Sequence, residues 1–175
     1  MVKAIVTTSA NPFHFGHFHL YLDAKAIFSD VRVVIEQNSD KKGGMNLRSH
    51  MDCYQIPYEI LPVRKTVADY CQENDIRYIV RGIRNGVDAE YELKIDFINK
   101  ELNPWVKTVF LPTEDLYSNI SSSVIRELIK YKKYDIVKKY MKEEAMWKYI
   151  EANHLDGELM FEKMKEDFFE KKNEK

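Results

Sequence analysis

Five short runs of β-branched and other apolar residues recur along the chain, and stretches with helical spacing separate them. The runs are residues 2–7, 31–35, 58–61, 77–80 and 107–111. Apolar residues at helical spacing follow over 16–28, 47–54, 67–72 and 88–102, and the sequence after Ser121 is helical in pattern. Because strands that alternate with helices form right-handed crossovers, we predict an α/β fold with a five-stranded parallel sheet and helices on both faces.

Length and composition fit one domain with an added tail. We assign residues 1–155 to the domain and residues 156–175, dense in Glu and Lys, to a helical C-terminal extension. The 27 basic and 28 acidic residues nearly cancel, so we expect neither nucleic acid nor a membrane surface as a partner. Two cysteines, no leader-like segment and no long apolar run indicate a cytoplasmic protein with reduced thiols.

The turn after the first strand has the features of a phosphate site. Parallel sheets bind ligands beyond the carboxyl ends of their strands, so loops 7–17, 36–46, 81–88 and 112–121 should share one edge. In the first loop, His14 and His17 flank Gly16 where a strand gives way to a helix. The N–H groups that begin a helix attract anions, and an imidazole donates to phosphate oxygens. No Asp, Glu or Cys lies nearby in sequence, which disfavours a metal site here.

Three further segments place donors on the same predicted edge. Arg81 and Arg84 follow the fourth strand, and guanidinium groups hold anions through paired N–H donors. Ser121, Ser122 and Ser123 precede an apolar helical repeat, where one serine would cap the helix and the others could face a phosphate. Lys41 adds positive charge after the second strand. The sequence contains neither a P-loop nor a GxGxxG motif nor a Gly-x-Ser-x-Gly elbow.

Taken together, these segments resemble the HxGH-type nucleotidyltransferases, and most closely the bacterial phosphopantetheine adenylyltransferases. The similarity spans roughly residues 1–150 and is most specific in Arg81-Gly82-Ile83-Arg84, Asp88-Ala89-Glu90-Tyr91-Glu92 and the segment 120–127. It implies a Rossmann-like fold and a homo-oligomer. It also implies transfer of the adenylyl group of ATP, accompanied by Mg²⁺, to the phosphate of a small acceptor, 4′-phosphopantetheine, with release of pyrophosphate.

The resemblance implies a role for each matched residue. His17 and His14, together with Lys41 and Arg84, would act on the reacting phosphates. Ser9, Lys41, Val67 and Arg81 would bind the acceptor. The nucleotide would be bound by Ser9, Ala10, His17, Gly82, Ile83, Arg84, Glu92, Tyr117, Ser118, Asn119, Ile120, Ser121, Ser122 and Ser123.

The chain also departs from the family pattern, and two alternatives stay open. Thr8 stands where the family has glycine, Asn11 where it has an acid, and Gly43 where it has proline, while the acceptor-side segment between Lys41 and Arg81 is short. The stretch 11–17 is also similar to that of nicotinamide mononucleotide adenylyltransferases. The altered loop leaves open, as the less favoured alternative, a relative that binds nucleotide without transferring it.

Overall fold

The computed structural model describes residues 1–37, 48–153 and 155, with the side chain of Asp115 left out. Its sheet contains β1 (Lys3–Thr8), β2 (Asp30–Ile35), β3 (Tyr58–Ile60), β4 (Tyr78–Ile83) and β5 (Lys107–Pro112). All neighbouring strands are parallel, and their order is β3-β2-β1-β4-β5. The predicted fold class is therefore confirmed.

Helices connect these strands and continue after the last one. They are α1 (Phe15–Ile27), α2 (Arg48–Met51) with a 3-10 turn at Asp52–Tyr54, α3 (Val67–Glu73), α4 (Gly86–Leu102), α5 (Asp115–Ser118), α6 (Ser122–Lys130), α7 (Tyr134–Val137) and α8 (Glu143–Ala152). The helical pattern after Ser121 thus resolves into three helices, and the predicted extension at 156–175 lies outside the described residues. Among the helices described, none combines the length and apolarity that crossing a bilayer requires.

The sheet carries an apolar core on each face, because successive strand residues point to opposite sides. Val6, Val33 and Val80 belong to a large cluster that also takes in residues of α1, α2, α6 and α8. Ile5 and Ile79 belong to a smaller cluster on the other face, which includes residues of α3. The C-terminal helices therefore pack on the face opposite α3.

α4 turns its polar side toward the sheet. Glu92, Asp96 and Asn99 are buried, and neither core cluster contains a residue of this helix. Six apolar residues on its other side are each more than half exposed: Val87, Tyr91, Leu93, Phe97, Ile98 and Leu102. The helical spacing of apolar residues over 88–102 predicted an amphipathic helix, but the usual inward orientation of its apolar side is reversed.

The order of the strands locates the ligand edge. From β1 the chain adds β2 and then β3 toward one edge of the sheet, and it then adds β4 and β5 on the other side of β1. The connections that leave β1 and β4 therefore diverge to opposite faces and open a crevice between them. The histidine loop follows β1 and the Arg81–Arg84 segment ends β4, so both lie at this crevice.

Candidate active site

A cavity of about 360 Å³ lies at the crevice between β1 and β4. Its wall is built from the loop after β1, the end of β4, the first turns of α4 and the segment around the start of α6. The residues that line it are Thr7, Thr8, Ser9, His14, Gly16, His17, Leu20, Arg81, Gly82, Arg84, Asp88, Tyr91, Glu92, Thr113, Tyr117, Ile120, Ser121, Ser122, Ser123 and Arg126. Segments far apart in sequence thus converge on one site.

Both cavity histidines are fixed through one ring nitrogen to the backbone at the start of α1. Nδ1 of His14 accepts from the N–H of Gly16 at 3.1 Å, and Nδ1 of His17 accepts from the N–H of His14 at 3.3 Å. Because Nδ1 accepts in each ring, the neutral form carries its proton on Nε2. The two ring centroids are 3.9 Å apart, so the pair presents two neighbouring N–H donors.

Burial keeps these two imidazoles neutral. It lowers the pKa of His14 to about 3, with a further contribution from the positive charge of Arg84. The pKa of His17 is also lowered well below its ordinary value, first by burial and then by His14, Arg81 and Arg84. At neutral pH the pair can therefore donate hydrogen bonds to an anion without carrying positive charge itself.

Gly16 is required by the ring of His14. A Cβ atom at residue 16 would lie 3.0 Å from Cε1 and 3.1 Å from Nδ1 of His14. A side chain there would push the imidazole away from the N–H group that it accepts from. The glycine predicted to allow close approach of a ligand thus first allows close approach of the histidine.

The serine run starts a second helix at the same cavity. Ser121 caps α6 by accepting from the N–H of Val124 at 3.3 Å, and its hydroxyl lies 2.8 Å from that of Ser123. Ser122 donates to the carbonyl oxygen of Pro12 at 2.9 Å, which ties α6 to the histidine loop. Since α1 also begins at this cavity, two helix N-termini converge on it, an arrangement that favours anions.

Arg81 is partly buried and bound to carboxylates of its own chain. Its Nε and Nη2 donate to the two oxygens of Glu92 at 2.6 and 2.7 Å, a paired geometry of high strength. Its Nη1 donates to the carbonyl oxygen of Thr7 at 3.0 Å and more weakly to Glu36 at 3.4 Å. Arg81 and Glu92, which the resemblance assigns to acceptor and nucleotide, therefore bind each other here.

Arg84 and Arg126 bring further guanidinium groups to the cavity wall. Arg84 forms a paired contact with Asp88, at 2.6 Å from Nε and 3.0 Å from Nη2, and donates to the carbonyl oxygen of Ile120 at 3.2 Å. Its hydrogen bonds to Asp88, and then its charge, lower the pKa of that carboxyl. Arg126, on α6, donates to the carbonyl oxygen of Asn11. Each arginine thus also links two segments of the wall.

A model of the cytidylyltransferase-like family matches residues 5–128, which run from within β1 through β5 to most of α6. The chain belongs to the cytidylyltransferase-like family. This membership confirms the broad resemblance to nucleotidyltransferases. The narrower resemblance to phosphopantetheine adenylyltransferases stays a prediction.

Solved structures share the fold of this cytidylyltransferase-like protein at low sequence identity. Plasmodium falciparum nicotinic acid mononucleotide adenylyltransferase complexed with NaAD has 14% identity and a TM-score of 0.61, with 88% of this chain and 97% of that chain covered. The same enzyme complexed with APC has 15% identity and a TM-score of 0.57, with 88% of this chain and 96% of that chain covered. Thermotoga maritima TmcAL bound with alpha-thio ATP has 14% identity and a TM-score of 0.57 over 86% of this chain, which spans only 55% of TmcAL.

Most of the predicted site residues of the cytidylyltransferase-like protein line the cavity, but several do not. Ala10 is fully buried in the larger core, and Val67 is buried in the smaller one beside α3. Ile83, Ser118 and Asn119 also lie outside the cavity lining. Lys41 lies outside the described residues.

The cavity also contains residues to which the sequence assigned no role, namely Thr7, Thr8, Leu20, Asp88, Tyr91, Thr113 and Arg126. Arg126 carried a usable signal, because it follows Ser122 by four residues and so lies on the same side of α6. Thr113 follows β5 directly, at the edge where the loop 112–121 was expected. Thr8, a departure from the family pattern, accepts from the N–H of Ala10 at 3.0 Å and so closes the turn itself.

The loop that carries the histidines is held from behind by distant side chains. Nε2 of His50 accepts from the N–H of Phe13 at 3.0 Å, and the hydroxyl of Tyr54 donates to the carbonyl oxygen of Phe13 at 3.2 Å. The hydroxyl of Tyr149 donates to the side-chain oxygen of Asn11 at 2.5 Å. Tyr149 lies beyond the residues that match the family, so α8 adds a support that the matched region does not contain.

We predict that Tyr149→Phe lowers the melting temperature by roughly 2–10 °C, because it leaves the buried oxygen of Asn11 without this donor, at a cost of about 1–3 kcal/mol. Thermal unfolding followed by circular dichroism measures the change. The matched control is Tyr131→Phe, which removes a hydroxyl from an exposed tyrosine in the same part of the chain. Equal shifts in the two variants would contradict the support assigned to Tyr149.

We further predict that the free energy of unfolding falls as the pH is lowered from 7 to 5. The pKa values of His14, His17 and His50 are all lowered by burial, that of His50 to about 4. Below the ordinary histidine pKa of about 6.5, the unfolded chain binds protons that the folded chain does not, so stability falls by up to about 1.4 kcal/mol per pH unit for each histidine.

Urea unfolding at several pH values measures this slope. His50→Gln should reduce the slope of the free energy of unfolding against pH by the contribution of one histidine. A glutamine oxygen still accepts from the N–H of Phe13 but does not titrate over this range. A free energy of unfolding that stays constant from pH 7 to 5 would show that the folded chain takes up protons at these histidines as the unfolded chain does, and it would contradict the lowered pKa values.

Proposed function

We propose that this protein transfers the adenylyl group of ATP to the phosphate of 4′-phosphopantetheine, with release of pyrophosphate and formation of dephospho-coenzyme A. The observation that carries the proposal is the convergence of two helix N-termini, two neutral histidines and two arginines, Arg84 and Arg126, on one cavity. That combination suits a polyphosphate, and a cavity of about 360 Å³ falls within the size range of small-molecule sites.

The proposed reaction is an in-line displacement at phosphorus. An oxygen of the acceptor phosphate attacks the α-phosphorus of ATP, and the bond from that phosphorus to the oxygen of the leaving pyrophosphate breaks. The attacking oxygen is already anionic, so no side chain has to remove a proton. What the protein supplies is position and charge stabilisation, as in phosphoryl transfer in general.

The histidines are assigned to the α-phosphate. Their Nε2–H groups would donate to its oxygens, where negative charge grows as the new bond forms, and their fixed Nδ1 contacts hold them ready for it. Arg84, Arg126 and the serines at the start of α6 would bind the rest of the triphosphate. Lys41, outside the described residues, is proposed to contact the reacting phosphates.

The acceptor phosphate is assigned to Arg81. Its Nε and Nη2 stay with Glu92, while the weaker contact from Nη1 to Glu36 at 3.4 Å is the one that an acceptor phosphate would replace. Tyr91 adds an exposed ring to the wall next to Glu92, which suits an acceptor with an uncharged arm. Ser9 also lines the cavity and would offer its hydroxyl.

Mg²⁺ would reach the site as part of its ATP complex. Across residues 1–37 and 48–153, no three His, Cys, Asp or Glu side chains come close enough together to hold a metal ion. The cavity carboxylates of Asp88 and Glu92 are bound to arginines. These residues therefore fit an ion whose ligands come chiefly from the triphosphate and water, which is the coordination that Mg²⁺ commonly adopts.

A second acceptor, a nicotinamide or nicotinic acid mononucleotide, is favoured by one observation. The Plasmodium falciparum nicotinic acid mononucleotide adenylyltransferase has the fold of this chain over 97% of its own length. Both acceptors present a phosphate to the same chemistry. The choice between them depends on the wall beside Arg81 and Tyr91.

The acceptor is tested by measuring pyrophosphate release from ATP and Mg²⁺ with 4′-phosphopantetheine, nicotinamide mononucleotide or nicotinic acid mononucleotide added separately. We expect turnover with 4′-phosphopantetheine and little with the two mononucleotides. Turnover with a mononucleotide and none with 4′-phosphopantetheine would show that the acceptor is the mononucleotide, while the proposed adenylyl transfer would stand. Tight ATP binding without pyrophosphate release from any acceptor would favour a protein that binds nucleotide without transferring it.

We predict that His17→Ala lowers kcat by about 10²–10³-fold, since one donor preorganised toward a developing oxyanion is worth about 2.7–4 kcal/mol. The control is His19→Ala, which removes a histidine of the same helix that does not line the cavity and should change kcat far less. Circular dichroism checks that both variants fold. An unchanged kcat in His17→Ala would show that His17 does not stabilise the transition state.

A further inference from the structure

We infer that Glu36 is a specificity-determining residue. Its carboxylate is an internal anion that takes a donor of Arg81 needed by the acceptor phosphate, and it gives way only to a phosphate whose carrier makes further contacts. The inference rests on the proposed function, in which Arg81 binds the acceptor phosphate. Glu36 directly follows β2, and its N–H donates to the carbonyl oxygen of Thr8 at 2.9 Å. Its backbone is therefore fixed beside the end of β1, at the edge of the candidate active site.

The donors of Arg81 are largely used by its own chain. A guanidinium group has five N–H donors. Nε and Nη2 donate to the two oxygens of Glu92 at 2.6 and 2.7 Å. Nη1 donates to the carbonyl oxygen of Thr7 at 3.0 Å and to Oε1 of Glu36 at 3.4 Å. A phosphate that reaches Arg81 therefore competes with a group that is already bound there.

Among these partners, Glu36 is the one that can be displaced. Its contact with Arg81 is the longest, and its side chain is 43% exposed, against 11% for Glu92. The Glu36 carboxylate can therefore turn into water, whereas Glu92 would have to give up two short contacts. The remaining partner is a backbone carbonyl of β1, whose position the sheet fixes. Binding at Arg81 is thus an exchange of one anion for another on Nη1.

The two halves of the site differ in charge among the residues that the structure describes. On the nucleotide side, Arg84 and Arg126 outnumber the carboxylate of Asp88. On the acceptor side, Glu36 and Glu92 outnumber a single guanidinium. Because like charges repel at this short range, a bare phosphate is disfavoured on the acceptor side. The nucleotide side carries no such excess of carboxylates.

This difference favours a true acceptor over phosphates without an arm. Inorganic phosphate shares the charge of the acceptor phosphate but offers no other group to the protein. Glu36 competes with both, so a ligand holds the position only if it gains further contacts. An acceptor can gain them from the ring of Tyr91, which lines the cavity and is 60% exposed. Glu36 thus provides specificity by opposing the wrong ligand.

A carboxylate beside the acceptor could also act as a general base, but the proposed reaction has no use for one. The attacking phosphate oxygen is already anionic and has no proton to lose. The two roles also differ in kinetics. Loss of a base lowers kcat, whereas loss of a competing anion lowers the KM of the acceptor and leaves kcat unchanged.

The test is the affinity for inorganic phosphate, measured by isothermal titration calorimetry. The nucleotide side is first filled with Mg²⁺ and α,β-methylene-ATP, which cannot release pyrophosphate. We expect Glu36→Gln to bind phosphate at least about fivefold more tightly than the wild type, because glutamine keeps the size of the side chain and removes its charge. The matched control is Glu59→Gln, since Glu59 is 47% exposed and pairs with Arg32 at 2.8 Å. Circular dichroism checks that both variants fold.

Turnover gives a second measurement. With the acceptor that supports pyrophosphate release, Glu36→Gln should lower the KM of the acceptor by a similar factor and leave kcat and the KM of ATP unchanged. Inorganic phosphate should inhibit this variant in competition with the acceptor. A fall in kcat, or inhibition in competition with ATP, would contradict the role assigned to Glu36.

The inference would also be overturned if Glu36→Gln bound phosphate no more tightly than the wild type, or if Glu59→Gln gained as much. Phosphate binding requires no turnover, so the two proposals fail separately. Absence of pyrophosphate release with every acceptor would refute the proposed function, and the phosphate affinities would still decide the role of Glu36.

Discussion

The position of the loop Asn11–Phe15 sets the geometry of the candidate site, and this loop is held almost entirely by groups distant in sequence. Its polar groups bond to His50, Tyr54, Ser122, Arg126 and Tyr149, and the N–H of Phe15 donates to the carbonyl oxygen of Tyr140 at 2.7 Å. A net hydrogen bond contributes only about 1 kcal/mol, but a buried group left unpaired costs more. The loop therefore has few alternative conformations of comparable energy, and the histidines are held rigidly with it.

Because its histidines are neutral, this site offers an anion oriented N–H dipoles more than free positive charge. His14 and His17 are held neutral by burial, and Arg81 is balanced by Glu92. Free cations would bind ground state and products strongly as well as the transition state. Fixed N–H donors aimed at the place where charge develops favour the transition state instead, and they need no reorganisation during the reaction.

Local sequence pattern predicted the elements well and the pairings between distant side chains poorly. The five β-branched runs became the five strands, and the serine run became the cap of α6, because both follow from neighbouring residues. The bond between Arg81 and Glu92 depends on how α4 lies on β4, which no local pattern encodes. Ala10 was wrongly expected at the nucleotide: Thr8 and Ser9, which precede it, line the cavity, while its own side chain enters the core.

The reversed orientation of α4 follows from the same pairing. Periodicity shows which residues share a side of a helix, but not which side the sheet receives. Turning α4 to bury Phe97 and Ile98 would carry Glu92 away from Arg81 and leave a partly buried guanidinium without its main carboxylate partner, which is strongly unfavourable. The carboxylate side therefore faces inward, and the apolar residues of α4 stay exposed. A single ion pair thus fixes both the wall of the candidate site and the orientation of α4 on the sheet.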